Sequence, residues 1–150
     1  MWGKAHEKDA IMYFENHTGW KVTDVGIYIS QSGYLEASPD GMINDNIIEV
    51  KCPWKYRDKS FMSAINDSTF YLNMENDLCS LKTDHVYYHQ VMGNLYLTKT
   101  RICFFIVWTP NWSVTVPVEN NIGWNENIVK LENLYESVFI SKIIEHKTSM

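Results

Sequence analysis

The chain has 150 residues, of which 45% are hydrophobic, 14% aromatic and 21% charged, a composition that can fill a core of ordinary domain size and excludes disordered, collagen-like and low-complexity architectures. One domain over 1–150 is expected. The net charge of -5, from 13 Lys and Arg against 18 Asp and Glu, repels phosphate overall, so binding to nucleic acid would need a local basic patch or cations held by acidic groups.

In chain order, residues 3–18 read as a helix with Ala10, Ile11 and Phe14 on one stripe and Gly19 as its stop. Glu7 falls on that same stripe, so its carboxylate is expected to point with the apolar side chains. Strands are predicted over 21–30, 34–38 and 47–52, separated by Gln31-Ser32-Gly33, by Pro39-Asp40-Gly41 and by Asn44-Asp45-Asn46. Together they predict an antiparallel meander, ended by Pro53, which lacks a ladder donor.

Residues 60–66 suit a short helix, and 84–98 a longer one with Tyr87, Gln90, Val91 and Leu95 near one face. The run 101–109 is β-branched and aromatic almost throughout, which predicts a central strand buried on both faces. Another strand is expected over 112–118. A closing helix over 125–146 is expected to pack Ile128, Leu131, Leu134, Tyr135, Val138 and Phe139 inward. The order of elements predicts a mixed α/β (α+β) layer arrangement.

Three scattered cysteines, Cys52, Cys79 and Cys103, have neither CxxC spacing nor a histidine at zinc spacing and are read as reduced core residues. No apolar run reaches the roughly 18 residues of a membrane span, and residues 1–7 lack the apolar stretch of a signal peptide, so an intracellular protein without a membrane segment is expected. Acyl transfer and nucleoside triphosphate hydrolysis lack support, since neither a nucleophile-elbow serine nor a glycine-rich phosphate loop occurs.

The chemistry concentrates around Asp40, Glu49 and Lys51. Residues two apart on a strand share a face, so Glu49 and Lys51 are neighbours, and the short return over 41–46 brings Asp40 back beside them. Carboxylates crowded in a partly dry site are costly without a cation, and hard oxygen ligands suit Mg²⁺ or Mn²⁺. Glu7 would add a third carboxylate if the first helix packs on the meander. Such a group can hold one or two ions for phosphodiester hydrolysis, with Lys51 holding or deprotonating the attacking water or offsetting phosphoryl charge.

Glu-x-Lys alone is common on solvent-facing strands. Here it is joined by Ser38-Pro39-Asp40-Gly41 and extended to Glu49-Val50-Lys51-Cys52-Pro53, and this combination resembles the PD-(D/E)xK nuclease signature of the YqaJ-like viral recombinase and lambda-exonuclease branch. Trp2-Gly3-Lys4 with Glu7 resembles the branch's opening helix, Tyr56-Arg57-Asp58 the segment after the catalytic strand, and Tyr88-His89-Gln90 with Leu95-Tyr96-Leu97-Thr98 its glutamine-bearing helix. The resemblance implies a restriction-endonuclease-like core, a mixed sheet flanked by helices. It further implies that Asp40, Glu49 and the Val50 carbonyl hold one metal ion, Glu7 with Asp40 a second, that Lys51 is catalytic, and that Gln90 supports the site. The implied activity is 5′-to-3′ exonuclease digestion of duplex DNA during viral or mobile-element recombination, in host cytoplasm or nucleus. An annealing or other recombination partner protein and a homo-oligomer are compatible with it.

Lys55, Arg57 and Lys59 follow directly, and are candidate phosphate contacts, Arg57 foremost because guanidinium grips phosphate in bidentate fashion. Trp54, Tyr56, Tyr87 and Tyr88 are assigned to the core rather than to base stacking, and His89 to a hydrogen bond within the fold. A structure-specific or nicking endonuclease, and a DNA- or protein-binding module of the same fold, remain alternatives. By the same resemblance, related exonucleases carry a segment ahead of the opening helix that helps bind the terminal phosphate, whereas almost nothing precedes Trp2 here.

Overall fold

The most apolar run of the sequence, Ile102–Trp108 (β7), is the inner strand that organises the computed structural model, which describes residues 1–149. Its neighbours are Asn46–Lys51 (β4), parallel to it, and Ser113–Glu119 (β8), antiparallel. Gly41–Ile43 (β3) pairs antiparallel with β4, so the four-stranded mixed sheet has the order β3-β4-β7-β8. A parallel pair cannot be joined by a tight turn. The crossover from β4 to β7 therefore carries a short helix, Phe61–Ile65 (α2), a hairpin of Leu72–Glu75 (β5) with Leu78–Leu81 (β6), and a long helix, Val86–Thr98 (α3).

Both faces of the sheet are covered. On one, Val91, Met92 and Leu95 of α3 pack with Ile47, Phe105, Val107, Val116 and Val118. On the other, Ala10 and Phe14 of the first helix, Trp2–Thr18 (α1), pack with Ile48, Val50 and Ile106. Strand period two thus sends Ile47 toward α3 and Ile48 toward α1. Gly19 ends α1 in the left-handed region at φ 76, its N–H donating to the Glu15 carbonyl.

Three expectations need correction. The region read as a strand over 21–30 contributes only Tyr28–Ile29 (β1), paired with Glu36–Ala37 (β2) in a separate two-stranded sheet, and a single bridge from Thr23 to Met42. The early strands are therefore two hairpins rather than one continuous meander, because most of 21–27 has no strand to pair with. The β5–β6 hairpin was not anticipated, although Asn76 and Asp77, at φ 51 and 62, are the residue types that a mirror-image two-residue turn favours.

The closing segment is helical as expected, through Glu126–Leu134 (α4), a π-helical stretch Tyr135–Ile140 and Ser141–Thr148 (α5). It does not bury the predicted face. Ile128 alone is buried, while Leu131, Leu134 and Phe139 are exposed. Tyr135 instead stacks on Tyr34 at 4.5 Å, and Glu132 accepts a hydrogen bond from Ser32 at 2.6 Å. Periodicity defines an apolar face but not whether another element reaches it. Among the described residues no helix is long and apolar enough to cross a membrane.

Gly41 opens β3 where the chain comes closest to 22–23. The backbones of Thr23 and Met42 exchange hydrogen bonds of 2.9 and 3.0 Å, and a Cβ on Gly41 would overlap Val22 Cγ1. Since Val is stiff and its backbone is pinned, Gly41→Ala is expected to lower stability by about 1–3 kcal/mol, read from the denaturant midpoint; an unchanged midpoint would show that the 22–23 segment yields freely.

Candidate active site

Every second residue of β4 faces α3, and after Ile47 these are Glu49 and Lys51. Glu49 is only 3% exposed, against a helix that also turns the apolar Val91 and Leu95 to the sheet. Both of its carboxylate oxygens nonetheless accept hydrogen bonds. Oε1 accepts from Lys51 Nζ at 2.9 Å and from Gln90 Nε2 at 3.0 Å, and Oε2 accepts from Asn94 Nδ2 at 3.3 Å. Gln90 Oε1 in turn accepts from Lys51 Nζ at 3.0 Å, closing a triangle of Glu49, Lys51 and Gln90 between strand and helix. Lys51 Nζ also lies 4.3 Å from the centre of the Tyr87 ring, a cation–π contact.

Asp40 is tied to the same strand from the far side of the β3–β4 hairpin. Its N–H donates to the Ile48 carbonyl at 3.0 Å and its Oδ2 accepts from the Val50 N–H at 2.7 Å. Asp40, Glu49, Val50 and Lys51 line one cavity of about 510 Å³ together with Glu7 and Lys4 from α1. The cavity opens at the end of the sheet, where the two helical layers, otherwise separated by it, both reach the same space.

A model of the YqaJ-like viral recombinase domain matches residues 1–101, a span that takes in Glu7, Asp40, Glu49, Lys51 and Gln90. The chain belongs to this family. Among solved structures, the alkaline exonuclease LHK-Exo from Laribacter hongkongensis is 20% identical with a TM-score of 0.73, the alignment covering 98% of this chain and 71% of that one. LHK-Exo in complex with dAMP gives 19% identity and a TM-score of 0.74 over the same shares, 98% and 71%. A phage-related exonuclease from Haemophilus somnus 129PT is 14% identical at a TM-score of 0.61, covering 95% of this chain and 72% of that one. At such identities the likeness establishes a shared fold alone, a mixed sheet flanked by helices of the restriction-endonuclease-like kind. A search of curated proteins finds no match.

In this YqaJ-like domain the carboxylates are electrostatically stressed. Burial pushes the Glu49 carboxyl up to about 7, with the Asp40 charge adding to it and Lys51 opposing. Burial also raises Asp40, against the lowering effects of the Val50 N–H and Lys51. Glu7 is raised by burial and then by Asp40. Among the described residues no three His, Cys, Asp or Glu side chains close into a tight cage; the acidic groups share the cavity rather than direct contact. Three carboxylates against Lys4 and Lys51 leave an excess of hard oxygen donors in a partly dry space, which suits a divalent cation such as Mg²⁺ or Mn²⁺.

Two site neighbours escaped sequence reasoning. Asn94 lies one helical turn after Gln90 and is 8% exposed; its signal was a polar residue on the stripe of Val91 and Leu95. Lys4, one turn before Glu7, stood within the Trp2-Gly3-Lys4 likeness but was given no role of its own. Lys55, Arg57 and Lys59 do not line the cavity but occupy the adjoining segment, which opens with the 3₁₀ turn Trp54–Tyr56. Lys55 is paired with Asp67 at 2.7 Å, Arg57 contacts Asp58 at 3.3 Å and stacks on Trp54, and Lys59 approaches the Tyr56 ring at 5.7 Å. Tyr56 is core as expected, whereas Trp54 is exposed, because the turn after Pro53 lays it against Arg57 and not the sheet. His89 Nδ1 accepts from Trp124 Nε1 at 2.8 Å, the internal hydrogen bond anticipated for it.

The raised Glu49 carboxyl links stability to pH. Between the ordinary value of 4.5 and about 7 the folded protein holds a proton that the unfolded chain has released, so stability falls as pH rises through that window. Chelator-treated protein is expected to lose melting temperature across it, and Glu49→Gln to flatten the loss. A wild-type profile that rises instead would contradict the buried-carboxylate account.

Proposed function

We propose that this YqaJ-like domain is a divalent-metal-dependent deoxyribonuclease acting as a single domain over 1–150, and that its reaction is 5′-to-3′ exonuclease digestion of duplex DNA in recombination. The observation that carries the reading is the closed triangle of Glu49, Lys51 and Gln90 at the wall of a cavity that Asp40 and Glu7 also line. A structural ion pair would need neither the glutamine bridge nor two further carboxylates.

Asp40, Glu49 and the Val50 carbonyl are the proposed ligands of one ion, and Glu7 with Asp40 of a second. Bound Mg²⁺ or Mn²⁺ would polarise the phosphodiester, acidify water and offset charge on the leaving oxygen. The chain's own groups do the rest. Lys51, kept in place by Gln90 and Glu49, holds the attacking water or offsets charge developing on the phosphoryl oxygens. Asp40 is oriented by the Val50 N–H, which leaves Oδ1 free of that bond. Asn94 and Gln90 fix the rotamer of Glu49, so that its carboxylate meets substrate already oriented. Lys55, Arg57 and Lys59 supply the local phosphate attraction that a chain of net charge -5 lacks elsewhere. DNA is the proposed substrate in an intracellular setting, with a recombination partner protein and self-association as further proposals.

Purified protein with Mn²⁺ is expected to degrade linear duplex, and Lys51→Ala to slow this by about 100-fold or more while its circular-dichroism spectrum remains that of a folded protein. Asp40→Asn is expected to weaken Mn²⁺ binding in calorimetry. Covalently closed circular DNA should survive. Its cleavage would replace the exonuclease by an endonuclease, and DNA that is bound but never cut under any metal would leave a binding module.

A further inference from the structure

Trp54 stands three residues after Lys51 and is 55% exposed, although it is one of the largest apolar side chains in the chain. It is also held rigidly. The Arg57 guanidinium carbon lies 3.3 Å from the centre of its ring, Arg57 Nη1 donates to the Trp54 carbonyl at 2.8 Å, and Trp2 meets the ring edge-to-face at 5.0 Å and 70°. Its neighbours reach the catalytic cavity, since Pro53 lines it directly and Trp2 lies between the lining residues Met1 and Gly3. An indole fixed in place, with a cation against one face, Trp2 alongside and 55% of its surface still open to solvent, has the form of a stacking platform.

We infer that Trp54, backed by Arg57, is a nucleobase-stacking residue that receives an unpaired base of the DNA substrate beside the scissile phosphate. The inference rests on the nuclease reading above and adds to it a contact with the base. Three residues of chain span at most about 10 Å, so at about 3.4 Å per nucleotide the stacked base lies within roughly three steps of Lys51. Bases inside a duplex already have both faces covered. The platform therefore selects a frayed end or a single-stranded segment, where a face is free, and stacking on it is indifferent to sequence. Arg57 Nη1 donates to the Trp54 carbonyl and Nε faces Asp58, so Nη2, which neither contact uses, would be the group to reach a neighbouring phosphate while the ring receives the base.

The test measures binding of a fluorescent duplex with a short single-stranded tail, in chelator so that no cleavage occurs, to wild type, Trp54→Ala and Trp54→Phe. Trp54→Ala is expected to bind about ten-fold more weakly, and Trp54→Phe to recover most of that loss. Abasic sites placed singly through the tail should include one at which wild type and Trp54→Ala bind equally. Equal binding of intact DNA by wild type and Trp54→Ala overturns the inference while leaving the nuclease reading intact. A loss that persists at every abasic position also overturns it, since Trp54 would then act by positioning Arg57 alone. Wild type that neither binds nor cuts DNA removes both.

Discussion

A carboxylate buried inside a sheet is tolerated only when its oxygens are matched by donors, because the cost of desolvating the charge otherwise exceeds what the surrounding packing contributes. Glu49 meets this condition through Lys51 on its own strand and Gln90 and Asn94 on α3. The match ties β4 to α3 by polar contacts in the middle of a hydrophobic interface, so the spacing of strand and helix is set by hydrogen-bond geometry as well as by side-chain volume. It also holds Lys51 at one place. A lysine has four rotatable bonds, and the bonds to Glu49 and Gln90 remove most of that freedom before substrate arrives.

The other acidic groups reach the site by different routes. Asp40 is carried there by the β3–β4 hairpin and fastened by the Val50 N–H, a purely local device. Glu7 arrives on the helix that covers the opposite face of the sheet, and can meet Asp40 only because the cavity lies at the sheet's end. The site thus combines one strand, one hairpin and two helical layers. This convergence crowds three carboxylates into one cavity, an arrangement suited to a cation, and a cation held there would offset the repulsion between an acidic chain and a polyanion.

Much of this was legible along the chain because it depends on short-range periodicity. The alternation that puts Glu49 and Lys51 on one face, the helical spacing that aligns Glu7 with Ala10 and Phe14, and the apolar density of 102–108 are all local patterns. Where pattern and partner separate, the reading failed. The closing helix has the periodicity of a buried element but finds few neighbours, so Leu131 and Phe139 stay exposed. Trp54 has the composition of a core residue and lies at the surface, since the turn after Pro53 lays it against Arg57 instead of the sheet. Asn94 has no motif. It matters because of what stands opposite it.

The amino-acid order by itself determined which groups could carry chemistry: acidic and basic residues at strand and helix spacing, turn residues around Asp40, and a family-like arrangement from Trp2 onward. Those features follow from backbone geometry that repeats every two or about 3.6 residues. Only the tertiary structure decided that α3 lies over Glu49, that Gln90 and Asn94 rather than water satisfy it, and that α1 delivers Glu7 to the same cavity. Contacts between residues some forty positions apart depend on how layers stack, and no local period encodes that.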